Sequence, residues 1–222
     1  MLALDCAISG LGVAVVRDGT RLAARREEGR DQAARLLPVA AAVLDDAGIE
    51  RRELSLIAVT VGPGSFTGVR VGLAAARGLA VGLGVPLAGL ATTSVLIAQA
   101  TTRDRLVVAA IDSRLGDWFC ATGEAAQAPF AATTDDLAGR LTGKPCVVVG
   151  PDVGPLVAQL AAAGLDATAE VDFVDPVTLA RLALDHGVDA WRARNQSEGL
   201  PGPLYLRGVS VTLPDGARRT VD

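Results

Sequence analysis

Two stretches of this 222-residue chain carry residue types and spacings that could do chemistry. The first is residues 62–68, Gly-Pro-Gly-Ser-Phe-Thr-Gly, lying between an apolar run (55–61) and a long helical pattern. Free backbone amides at such a helix start attract anions, so Gly62, Gly64 and Ser65 are candidates for contacting a phosphate. No Gly-Lys-Ser/Thr follows, so this is not a P-loop, and the glycine spacing is not GxGxxG. A tight turn needed for packing uses the same residues. The second is Asp5, at the end of the first apolar run, where a carboxylate can face a metal-bound nucleotide. The plainer role, an aspartate bonding its own turn backbone, is favoured. Asp112 and Arg114 occupy the matching turn of the second half, where a local ion pair is expected. His186, the sole histidine, is placed in the last turn of a helix, where a cation complements the dipole. Cys6, Cys120 and Cys146 are far apart without CxxC spacing, so buried reduced thiols are expected rather than a zinc site. A Ser-His-Asp triad would have to rely on His186 alone, and no arrangement supports it.

These residues need elements to hold them. Residues 2–4 and 12–16 read as strands around a turn containing Asp5, Ser9 and Gly10, and Asp18-Gly19 signals a hairpin into a third strand at 21–25. A helical pattern follows with Leu36, Val39, Ala40, Val43, Leu44 and Ala47 on one side, ended by Gly48; Pro38 inside it should kink it or mark its start. The apolar run 55–61 is a strand buried on both faces. Ser65 or Thr67 caps the helix behind the glycine turn, which runs to about Gly84. Along it Gly68, Gly72, Ala76, Ala80 and Gly84 recur every four residues and share a face almost without side chains, which lets another backbone come close. Glycine in a helix interior costs about 1 kcal/mol relative to alanine, so close packing must offset it. A strand at 85–90 and a helix capped by Thr92 or Thr93 complete the first half.

The second half repeats this outline. Strands at 106–111 and 117–122 flank an aspartate turn, as 2–16 do around Asp5; a strand at 146–149, a helix at 155–163, a strand at 167–171 and a helix opening on Asp175-Pro176 follow. Residues 125–143 are alanine-rich and uninformative, and the chain beyond Asn195 is a tail punctuated by proline and glycine, with Arg218 and Arg219 in a solvated end. Strands alternating with helices give α/β layers with parallel strands at the centre. The expected division is a first lobe at 1–104 and a second at 105–222, with 200–222 packing back on the first.

Composition narrows the partners. Hydrophobic residues make up 50% of the chain but aromatic residues only 3%, which argues against a base-stacking platform. The net charge of −4 lacks the basic excess that nucleic-acid binding alone needs. The N-terminal residues do not read as a signal peptide. Residues 71–88 are long enough to suggest a membrane span, but Arg77 near the centre costs about 3 kcal/mol on insertion scales, and Pro86 with the glycines weakens the case further. No membrane association is expected.

The segment VGPGSFTGVRVGLAAARGLAVGLGVPLAGLAT, the opening LALDCAISGLGVAVV, the segment AAIDSRLGDWFCA and the closing PLYLR together resemble the TsaB family. These are accessory, dimerisation subunits of the bacterial machinery that makes threonylcarbamoyladenosine beside the tRNA anticodon. The likeness is dense over 2–120 and 203–213 and thin over 125–196. It implies two actin-like (ribonuclease H-like) α/β lobes, with mixed sheets flanked by helices, and a cytoplasmic, non-catalytic scaffold that binds and activates TsaD. TsaE joins the complex, tRNA is met only through it, and a homodimer can form through the same helices. No cofactor of its own is implied, with ATP and metal on the partner complex. The catalytic paralogue TsaD carries an HxxxH metal site shortly after the equivalent of Pro86, and residues 90–96 here, LATTSVL, contain no histidine. The pairing helices correspond to 30–47 and 68–83, although many relatives place a histidine where this chain has Asp31 and Gln32. Carried onto this sequence, the interface comprises Arg35, Leu36, Val39 and Val43 on the first helix. On the second it comprises Gly68, Val69, Gly72, Leu73, Ala76 and Ala80. From a different class, a small actin-like nucleotide-binding ATPase acting through Asp5 and the 62–68 turn remains open, whereas a protease-like activity has no nucleophile arrangement.

Overall fold

A computed structural model describes residues 1–8, 10–102, 104–123 and 128–206, with the backbone of 209–212 and 218–221. Ser9 and the Arg218 and Arg219 side chains lie outside the described residues.

The first sheet is built from β1 (Leu2–Asp5), β2 (Leu11–Arg17), β3 (Thr20–Glu27), β4 (Ile57–Thr60) and β5 (Leu87–Leu90), in the order β3-β2-β1-β4-β5. β1, β4 and β5 run parallel, and β2 and β3 antiparallel. Asp18 and Gly19 adopt positive φ at the hairpin, the conformation that a tight two-residue turn needs. β1, β2, β4 and β5 are largely buried on both faces, whereas the edge strand β3 is exposed or half-buried, and alternation decides which face each residue serves. Leu2, Leu4, Val13, Val15, Ile57 and Val59 point to a core shared with α1 (Gln32–Ala47) and α2 (Phe66–Leu83). Ala3, Ala14, Val16, Leu56 and Ala58 point the other way.

The second sheet repeats the first strand for strand. β6 (Leu106–Asp112), β7 (Trp118–Thr122), β8 (Phe130–Ala132), β9 (Cys146–Val149) and β10 (Ala167–Glu170) stand in the order β10-β9-β6-β7-β8, with β6, β9 and β10 parallel and β7 and β8 antiparallel. α4 (Thr134–Leu141) and α5 (Gly154–Ala162) cover its outer face. Between the sheets lies a third core, closed by α3 (Thr92–Gln99), α6 (Pro176–Asp185) and α7 (Val188–Glu198). The two mixed sheets flanked by helices make the two-lobed α/β fold expected. A cut at residue 104 assigns α6 and α7 to the second lobe, whereas α6 packs against β1, β2 and β4 and α7 against β5. Asn195 of α7 accepts the Leu87 amide proton at 2.7 Å and donates to the Leu87 carbonyl at 3.1 Å, completing the rim of β5. Beyond α7, backbone strands β11 (Val209–Thr212) and β12 (Arg218–Val221) pair antiparallel.

Several local expectations are corrected. α1 runs unbroken past Pro38, which neither starts nor ends it. α3 is preceded by Ala91 with no side-chain cap, and the Thr92 and Thr93 hydroxyls are buried without hydrogen-bond partners. β8, α4 and α7 lie where no element was placed. Of these α4 had a signal, the capping box in which Thr133 accepts from the Asp136 amide and Asp136 reaches back. α7 buries only Trp191, so it shows no periodic apolar stripe. α2 is long and apolar enough to cross a membrane by length and composition, but its inner face packs on the first sheet.

Candidate functional site

The glycine turn is shaped by how closely α2 approaches the end of β1. A Cβ on Gly64 would lie 2.0 Å from the Ala7 carbonyl oxygen, and one on Gly68 would lie 1.9 Å from that of Cys6. The Ser65 amide donates to the Ala7 carbonyl at 2.6 Å, and the Ser65 hydroxyl caps the helix by accepting from the Gly68 amide at 3.2 Å. Gly62 has φ 99°, within the left-handed half of the map that glycine tolerates. Backbone-to-backbone contact therefore accounts for the glycines, and the Ser65 and Gly68 amides are already engaged.

Asp5 is buried and serves the same junction. Its Oδ1 accepts from the Thr60 hydroxyl at 2.6 Å and from the Ala7 amide at 3.1 Å. Burial pushes its carboxyl up to about 6, partly offset by those two hydrogen bonds. Burial, with the charge of Asp5, pushes the neighbouring Cys6 thiol up to about 12. Cys120 is likewise raised to about 12 by burial, and all three cysteines are buried free thiols. Asp112 and Arg114 pair at 3.5 Å, and Asp112 also accepts from the Arg114 amide at 2.7 Å. His186 follows α6 and meets Trp191 edge-on at 5.3 Å.

A cavity of about 490 Å³ opens between the lobes at the carboxyl ends of the parallel strands, with Gly64, Ser65, Phe66, Asp112, Arg114 and Tyr205 in its wall. Ligands favour this end of parallel sheets. Of the residues proposed for a phosphate, Gly64 and Ser65 line the cavity, whereas Asp5 and Gly62 do not. α3 opens on Thr92 and Thr93, whose hydroxyls are buried, and residues 90–96 carry no imidazole. Among the described residues no three His, Cys, Asp or Glu side chains gather.

The expected partner face is turned inward. Gly68, Val69, Gly72, Leu73, Ala76 and Ala80 are all buried in α2, as are Leu36, Val39 and Val43 in α1, and their side chains belong to the first lobe's own core. Gly72 lies against Val59 and Cys6 at 3.5 and 3.7 Å from where its Cβ would be. Of the residues singled out, only Arg35 is exposed, gripping Glu27 through two hydrogen bonds of 2.7 and 3.0 Å. The close approach read from the stripe exists, but its occupant is the chain's own sheet.

A second small-residue stripe, two positions further along, faces out. Ala74, Gly78 and Gly82 are exposed at the same four-residue spacing, and a Cβ at Gly78 or Gly82 would meet nothing within 4 Å. Val81, one turn from Gly78 on the same helix, is 70% exposed; on α1, Leu37 is 51% exposed, and Ala34 and Pro38 are exposed too. The signal was present in the sequence. What periodicity could not decide was which of two interleaved stripes faces the core.

The chain is 36% identical over 123 residues to the tRNA threonylcarbamoyladenosine biosynthesis protein TsaB of Escherichia coli, covering 54% of this chain and 53% of that one. It is 32% identical over 117 residues to the protein of the same description from Bacillus subtilis, covering 52% and 51%. It thus spans about half the length of the curated relatives it matches. Among solved structures, a Pseudomonas aeruginosa protein described by its similarity to the peptidase YeaZ superposes with a TM-score of 0.70 at 25% identity, over 93% of this chain and 98% of the other. The ethanolamine utilization protein EutJ of Carboxydothermus hydrogenoformans shares the fold, with a TM-score of 0.52 at 12% identity over 81% and 88%. A family model described as TsaD, tRNA N6-adenosine threonylcarbamoyltransferase, matches residues 5–189, and the chain belongs to that family, in which it is similar to the TsaB proteins.

Proposed function

We propose that this protein is a non-catalytic scaffold of tRNA threonylcarbamoyladenosine biosynthesis in the cytoplasm. In this reading it binds and activates a TsaD partner, with TsaE in the same assembly, ATP and metal on the partner complex and tRNA met only through it. The observation that carries the reading is the outward stripe Ala74, Gly78 and Gly82, with the exposed Val81 on the same helix. Two glycines exposed in a helix interior each cost about 1 kcal/mol relative to alanine and return no packing among the described residues. A partner helix lying along the stripe would supply it, because bare faces let helix backbones approach closely. The same face would serve a homodimer. Gly78→Leu and Val81→Arg should abolish co-purification with the host's TsaD and lower tRNA modification, while circular dichroism stays unchanged and the melting temperature does not fall. Undiminished binding by both variants would sink the proposal.

The inter-lobe cavity favours a second reading, a nucleotide-binding ATPase. Its weakness is Asp5, which is spent on Thr60 and Ala7 instead of lining the cavity. Calorimetry of the whole chain with magnesium-ATP decides it, and silence at millimolar nucleotide removes it.

A further inference from the structure

After α7 the chain crosses back over the first lobe as an extended strap, residues 200–206, held by three sets of contacts. The Leu204 amide donates to the Val61 carbonyl at 2.7 Å, just beyond β4. Arg77 of α2 donates from Nε to the Pro201 carbonyl at 3.1 Å and from Nη2 to the Leu200 carbonyl at 3.0 Å. Arg70, two turns earlier, donates from Nε to the Tyr205 hydroxyl at 3.0 Å, and its guanidinium lies 3.6 Å from the centre of the Phe66 ring. The lobe is shaped to take the strap: a Cβ on Gly89 would come within 2.5 Å of Pro201. Leu204, Tyr205 and Leu206 then form part of the cavity wall between the lobes.

Helical geometry places the two arginines beside the outward stripe. At 100° per residue, Arg70, Ala74, Arg77, Gly78 and Val81 fall within about a 100° arc of α2. An occupant of the stripe therefore lies against the guanidiniums that hold the strap, and the strap's far end borders the cavity. We propose that the strap is a latch, fastened by Arg70 and Arg77, that couples docking on the outer face of α2 to the mouth of the inter-lobe cavity. The coupling rests on the partner reading above; the latch itself does not.

Hydrogen–deuterium exchange on the full chain tests the two parts separately. In the isolated protein Tyr205→Phe removes only the hydroxyl that Arg70 engages, and Arg77→Met keeps an apolar stem while removing both donors. Each should speed exchange at the Leu204 amide several-fold, and the pair together about tenfold or more. Unchanged exchange in the double variant overturns the latch. Added TsaD should slow the Leu204 amide at least several-fold in the wild-type chain. The double variant should bind TsaD about tenfold more weakly, and Gly78→Leu should show no slowing. A complex that forms with exchange in the strap unaltered overturns the coupling and leaves the scaffold reading standing. Absence of any complex overturns the scaffold reading and the coupling together, with the latch still decided by the isolated chain.

Discussion

α2 presents two small-residue stripes of identical spacing whose environments are opposite. Gly68, Gly72, Ala76 and Ala80 face β1 and β4, and their smallness lets the helix lie on the Cys6–Ala7 backbone. Ala74, Gly78 and Gly82 face outward, where the described chain leaves open space. The inner stripe is explained by folding; the outer one meets no packing partner among the described residues. Small residues at every fourth position thus permit a close backbone approach, and the spacing does not say which stripe receives one.

The same substitution on the two faces should have opposite signs. Gly68→Ala puts a methyl group where the Cys6 carbonyl stands, and neither backbone can yield cheaply. It should lower the unfolding free energy by about 3 kcal/mol or more, read by urea denaturation. A change below 1 kcal/mol would mean that the helix slides easily on the sheet and that the contrast is false.

The junction beneath the inner stripe can also be probed through pH. The Asp5 carboxyl stands at about 6 in the folded chain, against roughly 3.9 when unfolded, so the folded state holds its proton more tightly. Its contribution is fully present below about pH 4, is lost as pH rises through about 4 to 6, and is flat above. The change is roughly 2–3 kcal/mol, and Asp5→Asn should flatten the difference between unfolding free energies measured at pH 4.5 and 7. A wild-type chain no less stable at pH 7 than at 4.5, relative to the variant, would contradict it.

The smallest effect is expected on the outer face. Gly78→Ala fills open space with a better helix former and should raise stability by up to about 1 kcal/mol, by the same denaturation. Destabilisation there would show that the outer face already has an occupant within the chain.

Much of this architecture was legible. The Asp18-Gly19 hairpin, the Asp175-Pro176 helix start and the doubled strand-turn-strand pattern are local signals, and each led to the right element. Three of the differences share a cause. α7 is anchored by one tryptophan, α3 has threonines that look like caps but are buried, and the two stripes of α2 are equivalent along the chain. In each, the deciding fact is which surface a segment meets after the chain has returned, and sequence periodicity holds no record of that. The candidate cavity was missed as a whole because its wall draws on residues as far apart as Ala7, Asp112 and Tyr205.

The Asn195 carboxamide carries a consequence for solubility. It has the donor and acceptor of a peptide unit, and at Leu87 it occupies both, as an added strand would. An open sheet rim is a template on which further chains can polymerise. By pairing with β5 at that residue, one side chain guards the exposed edge of the first sheet against fibre-like growth.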